Sequence, residues 1–175
     1  MRYQYKREPL TADEANRLAN ACQTHEEKLV IWTLLDTGLR VAELANLTQD
    51  NLDWQQHRLM IYGKGGPYGK LSKRRVIPLS ARVQPLLEGH LGLHENVGIG
   101  VRTIQRLVKG IANRAPIRRT VTPHVLRHTF AVTCIQKGIS TRALQEIMGH
   151  DRLATTEIYL NLSPEEVIRE FNGKW

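Results

Sequence analysis

Arg40, Lys64, His124 with Arg127, His150 and Tyr159 follow one another along a chain of 175 residues. Between them they hold every group a side chain needs to cut a phosphodiester without a metal. A phenol can attack phosphorus only if cations hold the non-bridging oxygens as charge builds there, and if an acid protonates the departing oxygen. Two arginines and the imidazoles suit the first task, and a lysine suits the second.

Each piece has an ordinary reading beside the chemical one. Thr37-Gly38-Leu39-Arg40-Val41-Ala42-Glu43-Leu44 sets a guanidinium at a helix start just after a glycine turn. Alone it would read as a surface Arg–Glu pair; in context Glu43 orients Arg40, whose planar fork grips phosphate oxygens as lysine cannot. In His124-Val125-Leu126-Arg127-His128, positions 124, 127 and 128 lie on one side of a helix. Two histidines four apart could bind zinc, but Val125 stands where the zinc-protease pattern needs Glu and a third ligand is lacking. An Arg–His phosphate site is favoured, with His128 structural. Met148-Gly149-His150 ends a helix with an imidazole at the turn, and Thr155-Thr156-Glu157-Ile158-Tyr159 carries a phenol on a short helix soon after. Taken singly, Tyr159 would be a core or surface residue like Tyr3, Tyr5, Tyr62 and Tyr68. Gly63-Lys64-Gly65-Gly66 lacks the Lys-Ser/Thr ending of a nucleotide loop and does not open a helix, so it predicts no nucleotide.

The elements that must carry these groups are mostly helical. Thr11 and Glu14 form a capping box for a helix running to about Cys22. A helix through Leu29–Leu35, apolar nearly all round, stops at Gly38, and a short helix starts at Arg40. Arg58–Tyr62 and Arg74–Leu79 read as two strands of a hairpin or small antiparallel sheet. Ser80 caps a helix to about Leu87, and a loop around Gly92–Gly100 leads to a helix containing Val101, Ile104, Leu107, Val108 and Ile111. Thr122-Pro123 opens a helix ending before Gly138, and Ser140 caps another ending at Gly149. Thr155–Leu160 and the stretch from Ser163 are helical. The expected fold is mainly α (α+β), a bundle-like helical core with a small antiparallel sheet, in one domain over residues 1–175.

Composition agrees with an intracellular, nucleic-acid-facing role. Twenty-five Lys and Arg face 17 Asp and Glu, a net charge of +8; such a balance favours a polyanion, because neutralising phosphates releases counterions. No leader or membrane-length apolar run stands out, so a cytoplasmic protein is expected. Cys22 and Cys134 read as core residues, neither a disulfide nor a metal pair.

Read together, Thr37-Gly38-Leu39-Arg40-x-x-Glu43-Leu44, Gly63-Lys64-Gly65, His124-x-Leu126-Arg127-His128-Thr129, Met148-Gly149-His150 and Thr155-Thr156-x-x-Tyr159 resemble the tyrosine recombinase (phage integrase) family in order and interval. The resemblance implies catalytic roles for Arg40, Lys64, His124, Arg127, His150 and Tyr159. Tyr159 would attack a phosphodiester of double-stranded DNA, leaving a 3′-phosphotyrosyl link and a 5′-hydroxyl. Arg40, Arg127 and His150 would stabilise the five-coordinate phosphorus, His124 would assist or accept a proton, and Lys64 would protonate the 5′-oxygen. Bond energy stays in the covalent link, so no cofactor, ATP or metal is implied. The family's cyclic tetramer on two duplexes implies a homo-oligomer, formed through the tail with Val167, Ile168, Phe171 and Trp175.

Three departures from the family pattern stand out. The family's N-terminal helical DNA clamp is not expected here, since the chain starts almost at the catalytic core. The hairpin tip is long, so Lys70 or Lys73 could replace Lys64, which spacing favours. Asn161 stands where the family often has His. Competing functions are a type IB topoisomerase-like relaxer with the same chemistry, a DNA-binding module that does not cut, and a metallohydrolase on His124, His128 and His150.

Overall fold

The computed structural model describes residues 8–62 and 74–149. Seven α-helices stand among them: α1 (Ala12–Asn20), α2 (His25–Thr37), α3 (Val41–Ala45), α4 (Val83–Leu93), α5 (Val101–Arg114), α6 (Pro123–Gln136) and α7 (Thr141–Met148). Three short strands, β1 (Leu52–Asp53), β2 (Arg58–Tyr62) and β3 (Arg74–Pro78), form an antiparallel sheet in the order β1-β2-β3. This is the mainly helical fold with a small sheet that the sequence implies. The strand β1 is an addition, too short to show a periodic pattern of its own.

Helix α2 is the axis of the core. Leu29, Val30, Ile31, Leu34 and Leu35 are all buried, because α1, α4, α5 and α6 all pack against it. Its start is capped by Thr24, whose Oγ1 accepts from the Glu27 amide at 3.2 Å. Its end turns at Gly38, left-handed at φ 62°.

The capping box expected at Thr11 is present: the Thr11 amide donates to Glu14 at 2.9 Å, and Thr11 Oγ1 accepts from the Glu14 amide at 3.2 Å. The helix stops at Asn20, two residues short of Cys22. Helix α4 differs more. It begins at Val83 and runs to Leu93, so Gly92 lies within it. Burial of Leu87 and Leu91 on one face outweighs the small propensity cost of glycine near a helix end. Ser80 stands at the entry to the helix, two residues before the Arg82 N-cap: its hydroxyl donates to Asp36 at 2.6 Å and accepts from the Val83 amide at 3.4 Å.

Both cysteines are free and buried. Burial is the main influence on each thiol and raises both to about 11, as expected of inert core residues. No helix among the described residues is long and apolar enough to cross a membrane.

Candidate active site

The site begins where α2 meets α3. Gly38 fits only as glycine: its φ is positive, and a Cβ there would lie 2.4 Å from the Phe130 ring. The turn delivers Arg40 to the N-cap of α3. The Arg40 amide donates to Glu43 Oε2 at 2.7 Å and its Nη1 donates to Oε1 at 3.0 Å. Arg40 is thus oriented by Glu43, with its side chain 48% exposed.

Glu43 has a second and stronger partner that the sequence reading missed. Arg75, on β3, donates from Nη1 to Oε1 at 2.9 Å and from Nη2 to Oε2 at 2.7 Å, a bidentate fork. Burial tends to raise the Glu43 carboxyl. The Arg75 hydrogen bonds, the Arg40 amide and the two positive charges outweigh it and hold the group down to about 2. A signal for Arg75 was in the sequence: it lies two residues before Ile77, on the same strand face. Pairing puts Ile77 opposite Leu59 and Arg75 opposite Ile61, all four buried.

Arg127 comes to the same region from α6. Thr122 caps that helix, accepting from the Val125 amide at 3.3 Å, and Pro123 takes the first helical position, where its missing N–H costs nothing. The exposed His124 comes next, and one turn deeper Arg127 and His128 are buried. Arg127 donates through Nη1 to the Gly38 carbonyl and through Nη2 to the Met148 carbonyl at 2.7 Å.

Helix α7 ends at this junction. Ser140 caps its start, accepting from the Ala143 amide at 3.2 Å, and Gly149 closes its end at φ 64°. The last carbonyls of a helix lack intrahelical donors. Here arginines serve two of them: Arg75 Nε donates to Ile147 at 2.9 Å and Arg127 to Met148. Cations are also favoured at this end of the helix dipole. The structure therefore gathers Arg40, Arg127 and the α7 terminus around the Gly38 turn, with Glu43 and Arg75 between them. Lys64, Lys70, Lys73, His150, Tyr159 and the tail beyond it lie outside the described residues. Among the described residues no three His, Cys, Asp or Glu side chains come together so as to hold a metal ion.

The chain belongs to the phage integrase family, whose sequence pattern it matches over residues 8–166. It is 35% identical over 170 residues to a tyrosine recombinase of Thermosipho africanus, covering 90% of this chain and 58% of that protein. It is 30% identical over 174 residues to tyrosine recombinase XerA of Thermococcus onnurineus, covering 90% of this chain and 59% of the relative. The chain thus spans about three-fifths of the length of these relatives. Its fold is similar to the crystal structure of XerA recombinase, with a TM-score of 0.81 at 29% identity over 95% of this chain and 64% of that one. A XerH site-specific recombinase bound to a palindromic difH substrate has the same fold, with a TM-score of 0.74 at 22% identity over 93% of this chain and 52% of that one.

Proposed function

We propose that this chain is the catalytic domain of a site-specific DNA recombinase, working on double-stranded DNA in the cytoplasm by way of a tyrosine–phosphate intermediate. Tyr159 attacks the phosphodiester and forms the 3′-phosphotyrosyl bond as the 5′-oxygen leaves. Lys64 gives that oxygen its proton, leaving a 5′-hydroxyl that attacks the phosphotyrosine of a partner strand in the reverse chemistry. Arg40, Arg127 and His150 bind the phosphoryl oxygens as charge accumulates, and His124 assists or takes the phenol proton. The 175 residues act as one domain, and copies assemble on DNA through the stretch after Tyr159.

The observation that carries this reading, beside family membership, is the link from Arg127 to the carbonyl of Gly38, two residues before Arg40. It ties two arginines from distant parts of the sequence to one turn, as a two-arginine phosphate clamp requires. Named relatives support the substrate class: a Tn1549 transposon integrase forms a complex with transposon right end DNA, and the XerH complex is described as post-cleavage. The relaxer and the non-cutting binder have no observation of their own. Plasmid relaxation measured beside two-site recombination tests the choice: recombination products support the proposal, and relaxation alone replaces it with the topoisomerase-like activity.

A further inference from the structure

Arg75 occupies a position where strand alternation calls for an apolar side chain. Its neighbours on that face, Leu59, Ile61 and Ile77, are all buried, and its own side chain is 5% exposed. A buried ion pair is a poor device for stability, since desolvation offsets most of the Coulombic gain and a well-packed apolar residue often does as well. What the arginine supplies is placement, because it joins three elements at one point: β3, which carries it, α3 through Glu43, and α7 through the Ile147 carbonyl.

The carboxylate at the centre is saturated. Oε1 accepts from Arg40 Nη1 and Arg75 Nη1, while Oε2 accepts from the Arg40 amide and Arg75 Nη2. A carboxylate has about four lone-pair sites, so Glu43 has no freedom to turn. Arg40 needs such a partner. A half-exposed ion pair contributes little, less than the rotamer entropy an arginine side chain loses on being held. A mobile glutamate would leave Arg40 mobile, whereas one gripped by a buried guanidinium does not. The fit is close at α7 too, where a Cβ on Gly149 would lie 2.8 Å from Arg75 Cδ.

We propose that Arg75 is a positioning residue for the phosphate clamp, locking Glu43, and through it the Arg40 guanidinium, while fastening the end of α7 to the same point. This rests on the strand-cutting reading and adds to it a residue that touches neither phosphate nor DNA.

The test uses the full chain with Arg75→Lys, which keeps the charge but loses the fork, and Arg75→Gln, which keeps a donor but loses the charge. Whichever variant unfolds cooperatively is carried forward. On a pool of random-sequence nicked duplexes, single-turnover covalent adduct formation is expected to slow on the order of 10–100-fold, the scale of a misplaced catalytic group, with DNA affinity within about threefold of wild type. In an Arg40→Ala background the same change is expected to cost less than about twofold, because coupled residues are not additive. A multiplicative loss in that background would mark Arg75 as merely structural and overturn the proposal.

A second measurement needs no DNA. NMR relaxation of the Arg40 Nε–H is expected to report an ordered group in wild type and an order parameter below about 0.6 in the variant. Unchanged order overturns the proposal by itself. If wild-type protein forms no adduct, the strand-cutting reading fails separately, and the Arg40 relaxation decides the role of Arg75.

Discussion

Glu43 shows how a single carboxylate can connect charge placement to stability. Its folded-state value of about 2 lies below the ordinary 4.5, so the ionised carboxylate favours the folded state, by an amount that solvent screening keeps modest. Because the value is depressed, the contribution is fully present above about pH 4.5 and is lost as pH falls toward 2. Urea unfolding at a series of pH values is expected to show this loss, and Arg75→Gln is expected to remove most of it. Removing the carboxylate by Glu43→Ala leaves Arg75 buried against apolar neighbours. That should destabilise by about 3–5 kcal/mol in the same urea experiment, far more than losing an exposed ion pair would.

At the scale of elements, the turns set the geometry, and glycines set the turns. Gly38 and Gly138 both have positive φ, but a Cβ on Gly38 meets the Phe130 ring at 2.4 Å while one on Gly138 meets nothing within 4 Å. Gly138→Ala is therefore expected to cost about 1 kcal/mol, the left-handed penalty alone. Gly38→Ala should cost about 3 kcal/mol, since overpacking is added to that penalty. Thermal melts of the two variants would measure the difference, and equal costs would mean that Phe130 yields to the methyl. Much of this level was legible in the sequence. Thr11 with Glu14, Thr122-Pro123 and Ser140 each announced a helix start through local hydrogen-bond chemistry, and Gly38 and Gly149 announced two ends. Arg40 with Glu43 could be read because three residues separate them. For Arg75 the strand pattern signalled burial but not the partner, because Glu43 is 32 residues away in sequence and the link exists only once β3 and α3 have packed. The far end of α4 was illegible for a related reason: the helix continues past Leu87 and through Gly92 to Leu93 because Leu91 finds a core there, while Gly92 signals a loop.

For the molecule as a whole, charge decides what it meets. Helix α5 carries Arg102, Arg106 and Lys109 on an exposed face, with no carboxylate anywhere along its length. In a chain of net charge +8, such a stripe is expected to contact DNA phosphates. If all three do so, replacing them by Gln should make the slope of log affinity against log salt less negative by about 2–3. A salt titration of duplex binding reads this directly, and an unchanged slope would remove α5 from the interface.

The proposed function depends above all on strand cutting through Tyr159 without a metal. The direct measurement is incubation of the protein with nicked or phosphorothiolate-containing duplex DNA, with and without chelator, followed by denaturing electrophoresis. Wild type is expected to give a chelator-resistant covalent protein–DNA band that is missing in Tyr159→Phe, although the variant still binds DNA. A band that persists in Tyr159→Phe, or cleavage that the chelator abolishes, would contradict it.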